Sequence, residues 1–173
     1  TSASEKEAFY GEIYKATKAA VASAGVQAED AHEHASGLMP EIVALHAAKA
    51  AAKRALADGG THEDVGKAAA AAAEDATKTA AAVTGNSTNT GDGTVQAAAN
   101  SIGAHAAAVI VAHDAISKGD SAEDAHAAAM NAAQGAGMSK GHSHSIAAKS
   151  ASDAPLQAKA LEACKDAAQK ACA

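Results

Sequence analysis

Residues 94–116 read TVQAAANSIGAHAAAVIVAHDAI, and this stretch decides what kind of fold the chain can form. Its larger apolar residues recur every seven positions, at Val95, Ile102, Val109 and Ile116, with alanines between them. A repeat of seven places these side chains on one helix face and is typical of helices that pack nearly parallel, at about +20°. The stretch therefore predicts one long helix of a bundle.

Alanine dominates the rest of the chain: 56 of its 173 residues are alanine, and only 2% are aromatic. Alanine is the strongest helix former, whereas strands favour β-branched and aromatic residues. Small side chains also allow helix axes to approach to about 8 Å. We therefore predict an all-α single domain over residues 1–173, an elongated up-and-down bundle of three or more long Ala-rich helices with shorter helical segments and helix corners. The alternative, a disordered chain, would lack apolar residues at helical spacing.

Helix corners are predicted by three similar segments that begin at Gly25, Gly59 and Gly119, each with Glu-Asp four and five positions later. Glycine adopts the left-handed conformation that closes a helix. In the second and third segments, Thr61 and Ser121 are suited to cap the next helix, whose first turn is acidic. The repeated motif indicates either an old duplication or a recurring corner, and the corner alone explains it.

Apolar stripes, loops and prolines organise the remaining residues. Loops are predicted over 85–93 and 135–145, which are polar and rich in glycine. Pro40 predicts a kink or a helix start, and Pro155 predicts the first turn of a last helix. Three stripes are predicted to face the core: Phe9, Ile13, Ala16 and Ala20; Leu38, Ile42, Leu45, Ala52 and Leu56; and a weaker one of Val65, Ala69, Ala72, Ala76 and Val83, which should pack closely or not at all.

Nine histidines are the main candidates for chemistry, but their spacing does not fit a metal site. Zinc requires three or four converging ligands, often two histidines four residues apart on a helix. His142 and His144 are interpreted as solvated loop residues, with adventitious metal binding as the alternative. His105 and His113 border the heptad stripe and could lie inside the bundle, and His32 and His34 flank a glutamate.

Catalytic motifs are absent from the sequence, which has no nucleophile elbow and no phosphate loop. We therefore predict that the chain is not an enzyme and has no catalytic, cofactor-binding or metal-binding residues and no cofactor. The absence of a basic patch with interleaved aromatics predicts no nucleic-acid partner. No run of about 18 strongly apolar residues is present, so we predict no transmembrane segment.

Two further features concern covalent modification. Cys164 and Cys172 are the only cysteines; on one continuous helix they would lie about 12 Å apart along the axis, beyond the roughly 7 Å that a disulfide spans. A bridge therefore needs a frayed or turned helix, or a second chain, and free thiols are equally open. Asn86 begins the acceptor sequence Asn-Ser-Thr within the predicted loop, where a glycan could be attached if the protein is secreted.

The Ala-rich helices, the Gly-x-x-x-Glu-Asp corners, the acceptor sequence at Asn86 and a first residue, Thr1, that is not methionine together resemble the insect-stage surface coat proteins of African trypanosomes. The family includes the brucei alanine-rich proteins and the congolense insect-stage antigens. The resemblance implies an exported helical bundle on the extracellular face of the plasma membrane, tethered by a C-terminal glycolipid in its full-length form and packed as a coat. It implies no catalytic residues.

Other functions remain open at this point. The histidines could serve a carrier of a small ligand, a metal or haem. An Ala-rich ice-binding protein is another alternative, although its threonines would need a sustained regular period that this sequence lacks. Lateral self-association or a host or vector surface ligand is the partner that a coat protein would have. A methyl-filled bundle leaves little interior space, so recognition is expected at loops or on the surface.

Overall fold

The computed structural model describes residues 3–25, 27–84 and 92–171 and confirms the all-α fold. These residues form six helices, which pack against one another as a bundle. The helices are α1 (Ala3–Ser23), α2 (Ala28–Ala57), α3 (His62–Thr84), α4 (Asp92–Lys118), α5 (Ala122–Gly135) and α6 (Lys140–Ala171). At about 1.5 Å per residue, the 30 residues of α2 extend roughly 45 Å.

Helix contacts follow chain order. Among the described residues, each helix packs only against the one or two helices that precede it and the one or two that follow it. α4 is the central helix and contacts α2, α3, α5 and α6, whereas α1 contacts only α2 and α3. Such short-range connectivity is typical of helical proteins that fold through local contacts.

The corners are closed by glycine, as the sequence motif predicts. Gly59 and Gly119 have φ angles of 78° and 89°, in the left-handed region that only glycine adopts without strain. The next residue then donates its N–H back into the helix, from Gly60 to the carbonyl of Ala55 (2.9 Å) and from Asp120 to that of Ala115 (3.0 Å). These bonds satisfy carbonyl groups that a helix end would otherwise leave without a partner.

The core consists almost entirely of alanine. The largest fully buried side chains are Met39, Val43, Val65 and Val111 with Ser143, and nearly all other buried residues are alanines. The four residues of the heptad repeat are only half-buried, because the surfaces in closest contact are the alanines beside them on α4. The weak stripe of α3 packs closely, with Val65, Ala69 and Ala76 buried; Ala72 is half-buried, and the side chain of Val83 is outside the described residues.

Three glycines mark where helix backbones come nearest to one another. A Cβ atom on Gly103 in α4 would lie 2.5 Å from Cα of Ala70 in α3. One on Gly66 in α3 would meet the carbonyl of Ala132 and lie 2.8 Å from the nitrogen of Ala136; one on Gly135 in α5 would meet the carbonyl of Glu63. Only glycine fits, because real Cβ atoms do not approach backbone atoms this closely.

Two predicted stripes are wrong about which helix face is buried. Phe9 is 50% exposed and Leu38 is 47% exposed, and Ile42 and Leu45 also lie on the surface, while Ala16 and Ala20 are exposed. The buried residues of these helices are instead Tyr10, Met39, Val43, Ala44 and Ala48; of the predicted stripes, Ala52 is buried, and Ile13 and Leu56 are half-buried. The buried faces include the bulky Tyr10, Met39 and Val43 as well as alanines, so side-chain size alone does not decide which face packs against the neighbouring helices.

The predicted loop over 135–145 is confirmed only for residues 136–139, and the rest of that range is helical. α5 continues to Gly135, a turn follows, and α6 begins at Lys140. The N–H of Ser143 donates to the carbonyl of Ser139 (2.9 Å) in the first turn of α6, and Ser143 is fully buried. Burial of Ser143, Ile146 and Ala147 outweighs a composition of glycine, serine and histidine that is typical of loops.

Neither proline begins a helix, so of the two alternatives predicted for Pro40 only the kink stays a prediction, and the first turn predicted at Pro155 is wrong. Pro40 lies inside α2 and Pro155 lies inside α6, so neither stands at a first turn. A proline in a helix interior loses one backbone hydrogen bond, although its fixed φ is compatible with a helix. Ala151 and Ala154 are buried just before Pro155, and their packing holds the helix through that position.

We expect the three close glycines to be required for stability. Gly66→Ala, Gly103→Ala and Gly135→Ala should each lower the free energy of unfolding by about 1–3 kcal/mol, because the added methyl forces two backbones apart. Gly11 and Gly37 provide matched controls, since nothing lies within 4 Å of a Cβ built on either one. Their replacement by alanine should instead stabilise the protein by about 0.5–1 kcal/mol. Urea denaturation followed by circular dichroism measures both sets, and stabilisation by Gly66→Ala would contradict the close crossing.

Candidate functional site

The most distinctive surface of the protein is an apolar patch formed by α1 and α2, which we call the α1–α2 surface: Phe9, Leu38, Ile42 and Leu45. The three α2 residues follow one another at spacings of four and three, so they form one stripe along the helix. Phe9 reaches this side of α1, where its ring lies 5.9 Å from the ring of His46, centroid to centroid. Contiguous exposed apolar patches on a protein often mark interaction sites.

Open grooves lie between the helices, and each is lined by a different set of side chains. A groove of about 330 Å³ between α2, α3 and α4 is lined by Gly37, Pro40, Glu41, Thr77, Ala98, Ser101 and Ile102. A more polar one at the close crossing of α3 and α5 is lined by Thr61, His62, Glu63, Asn131 and Gln134. A third, between the ends of α2 and α4, includes Leu56, Ile110 and His113. All three are open to solvent, and the third is also lined by Lys53, Asp114 and Lys118.

The histidines lie mostly on the surface. His105 is exposed, contrary to the expectation of an interior position, and its Nδ1 lies 2.9 Å from the carbonyl of Ser101; His113 is half-buried. His142 and His144 are exposed on α6 rather than in a loop. The side chains of His32 and His34 are outside the described residues.

One pair of histidines comes together. The rings of His126 on α5 and His144 on α6 meet edge to face, with centroids 4.8 Å apart. Two imidazoles provide fewer donors than the three or four ligands of a zinc site. Within the part of the chain that the structure describes, no group of three histidine, cysteine, aspartate or glutamate residues could hold a metal ion.

Thr61 and Ser121 lie at the starts of α3 and α5, where their hydroxyl groups cap the helices. The backbone N–H of Asp64 donates to Thr61 Oγ1 (3.2 Å), and that of Asp124 donates to Ser121 Oγ (3.1 Å). Each hydroxyl also donates to the carboxylate of the same aspartate, at 2.6 Å. At the first corner the Thr61 N–H donates to Asp64 Oδ2 (3.1 Å), which completes a reciprocal capping box.

This capping box lowers the pKa of Asp64 below its ordinary value of 3.8, chiefly because the Thr61 side chain and then its backbone N–H donate hydrogen bonds to the carboxylate. On the helix surfaces, hydrogen bonds and charge in i,i+4 ion pairs raise the pKa of Lys67 beside Glu63 and of Lys118 beside Asp114, and lower that of Glu74 beside Lys78. These pairs are solvated and typical of helix surfaces, where they contribute little to stability.

Residues predicted to carry modifications fall largely outside the described part of the chain. Asn86 and Cys172 both lie outside the described residues. Cys164 lies within α6, and its side chain is likewise outside them. The disulfide and the glycan therefore stay predictions.

Sequence reasoning missed two functional features. The first is the α1–α2 surface, whose residues were placed in the core because bulky residues at helical spacing usually lie there. The second is the set of close glycines, Gly66, Gly103 and Gly135. A glycine inside a predicted helix either lowers the stability of that helix or allows a close approach of another backbone. These positions could therefore have been recognised as candidates for helix crossings.

Comparison with protein families, with characterised proteins and with solved structures finds no match for this chain. The class of protein therefore follows from the fold and surfaces alone: an alanine-packed bundle of six described helices.

One helical segment of the described chain, Gly93–Lys118, is long and apolar enough to cross a membrane by length and composition. Buried core helices pass the same test. In this fold the segment belongs to α4, which contacts four other helices and buries Ala104, Ala108, Val111 and Ala112.

The Asp64 carboxylate should make the stability of the protein depend on pH. Because its pKa is lowered in the folded state, it stabilises the fold above the ordinary value of 3.8, and this contribution is lost as pH falls through the lowered pKa. We expect Asp64→Asn to be less stable than the unmodified protein at pH 7, with the difference disappearing as pH falls through the lowered pKa of Asp64.

Denaturation by urea at several pH values measures this difference in stability, and two variants of Thr61 serve as controls. Thr61→Ser keeps the hydroxyl and should keep the pH dependence, whereas Thr61→Ala should remove most of it and destabilise α3 by about 1 kcal/mol. A difference between Asp64→Asn and the unmodified protein that is constant across this range would show that the capping box does not lower the pKa.

Proposed function

We propose that the protein is a non-catalytic coat or interaction protein of the cell surface. In its full-length form it is held on the extracellular face by a C-terminal glycolipid, and it acts as a slim helical bundle. The resemblance to trypanosome insect-stage coat proteins motivates this proposal. Two structural properties support it: the slender packing of the helices and the direction in which α6 leaves the bundle.

Slender packing suits a coat because it allows many copies on a given membrane area. The interior is filled by alanine, and backbones meet at Gly66, Gly103 and Gly135, so the helices occupy little cross-section. Bulkier side chains would separate the helix axes towards about 10 Å. The same packing favours recognition at the surface over recognition of a ligand held inside.

The direction of α6 is the observation that carries the proposal. Gly137, just before α6, lies beside Asn100 in the first half of α4, and Ala151 clusters with Ala115 near the end of α4. The two helices therefore run in the same direction. α6 continues from Ala154 to Ala171, roughly 25 Å, towards the end of the bundle where α4 finishes.

The segment that contains Asn86 connects to the opposite end. Its described neighbours are Thr84, the last residue of α3, and Asp92, the first residue of α4. A glycolipid attached beyond α6 would place this opposite end away from the membrane. The geometry thus favours an orientation in which the acceptor sequence faces outward and the corners at Gly59 and Gly119 face the membrane.

Epitope insertion tests both the location and the orientation. One tag is inserted between Thr88 and Asn89, and another between Gly119 and Asp120, in the full-length protein expressed in its own cells. We expect antibody to label the first tag on intact cells at least about fivefold more strongly than the second, because neighbouring molecules shield the membrane side.

Release by a phospholipase specific for phosphatidylinositol provides the control. After release, both tagged proteins should bind antibody equally, which shows that each tag is intact. Labelling that requires permeabilised cells would contradict a surface location. Equal labelling of the two tags on intact cells would contradict the orientation.

A further inference from the structure

The pair of histidines between α5 and α6 is held in place by buried neighbours on both helices. In each helix, the residue before the histidine and the residue three positions after it are fully buried: Ala125 and Ala129 around His126, and Ser143 and Ala147 around His144. His126 itself is half-buried, and His144 is exposed. The two rings therefore extend from well-packed backbone and stay open to solvent on one side, so an ion can reach them without disturbing the core.

The ring nitrogens of this pair are available for a ligand. Within the described ranges of the chain, His126 and His144 form a ring contact with each other and no hydrogen bond. His105, His113 and His142 differ, because one ring nitrogen of each lies within 3.4 Å of a protein oxygen. A neutral imidazole has one nitrogen with a free lone pair, which is the group that binds a metal ion. The pair presents two such groups on neighbouring helices.

The separation of the two rings fits a shared metal ion. A metal ion lies about 2.0 Å from an imidazole nitrogen, and therefore about 3.2 Å from the centre of that ring. Two rings on one ion are then about 4.5 Å apart if the metal–nitrogen bonds form a right angle, and about 5.2 Å apart at a tetrahedral angle. The observed centroid distance of 4.8 Å lies between these values. Histidine rings turn about the Cβ–Cγ bond, which passes close to the ring centre, so a nitrogen of each can point at the ion with little change in this distance.

We propose that His126 and His144 bind one copper(II) ion between α5 and α6. Cu(II) favours a square of nitrogen and oxygen donors, and among divalent first-row metals it binds such sites most tightly. The two imidazoles supply two neighbouring corners of the square, and water supplies the others from the open side. A structural zinc ion would require three or four protein ligands, which this pair does not provide.

Copper in this position joins α5 to α6 in the folded chain. An unfolded chain does not hold the two imidazoles together, so the ion binds the native state more tightly and stabilises it by mass action. This site goes beyond the proposed coat function and does not depend on where the protein resides. A failure of the copper measurements therefore leaves the surface-labelling result standing, and failed labelling leaves the copper site standing.

Titration of the purified full chain with copper(II), followed by calorimetry, tests the site. We expect one tightly bound ion per chain, with a dissociation constant of about 10 µM or lower. Zinc should bind at least about tenfold more weakly. Magnesium prefers oxygen ligands and should not bind in this range. Saturating copper should raise the melting temperature, measured by circular dichroism, by about 5 °C or more.

Substitutions show whether the two imidazoles share one ion. His144→Asn is the cleaner variant, because His144 is exposed and its replacement leaves the core unchanged. His144→Asn and His126→Asn should each weaken copper binding at least about tenfold and abolish the rise in melting temperature. The double variant should bind copper no more weakly than either single variant, since one loss already breaks the chelate. Circular dichroism without metal confirms that each variant is folded.

Two other histidines provide matched controls. His105→Asn removes an exposed histidine of α4, and His142→Asn removes one that lies two positions from His144 on a different face of α6. Both variants should bind copper as the unmodified protein does.

Several results would contradict a shared copper site. One is the absence of saturable binding below about 100 µM, and another is binding that His144→Asn leaves intact. Losses that add in the double variant would show two independent sites. A loss in His142→Asn equal to that in His144→Asn would place the ion on the surface of α6 alone, and zinc binding as tight as that of copper would contradict the choice of metal.

Discussion

The fold depends on the contact of helix backbones at Gly66, Gly103 and Gly135. At these positions the helices approach so closely that a single methyl group would overlap a neighbouring backbone. Close approach increases the number of dispersion contacts that small side chains can make, and this compensates for the little apolar area that each alanine buries. The alanine-rich composition follows from this constraint, because larger residues at the same contacts would separate the helices.

The same constraint connects packing with function. A core closed by methyl groups directs binding to the outside of the bundle, where the structure offers the α1–α2 surface and open grooves. On α2, Met39 and Val43 are buried together with alanines, and Leu38, Ile42 and Leu45 remain on the outside. The bundle therefore keeps an apolar patch on its surface.

The sequence predicts those features of the fold that depend on only a few neighbouring residues. The corners at Gly59 and Gly119 could be predicted, because a left-handed glycine and a capping hydroxyl act within a few residues. The choice of buried face on α2 could not, because it depends on which face can approach another helix, a property of two elements. The start of α6 could not be predicted for a similar reason: burial of Ser143, Ile146 and Ala147 holds a helix that composition alone does not favour.

The central claim is that Gly66 and Gly135 share one crossing, and a double-mutant cycle tests it most directly. If a methyl on either glycine separates α3 from α5, the second methyl enters a crossing that is already open. The double variant Gly66→Ala/Gly135→Ala should then lose less stability than the sum of the single losses, by at least about 1 kcal/mol. Gly66→Ala combined with Gly37→Ala should be additive. Losses that add within about 0.5 kcal/mol for Gly66 and Gly135 would contradict a shared backbone crossing.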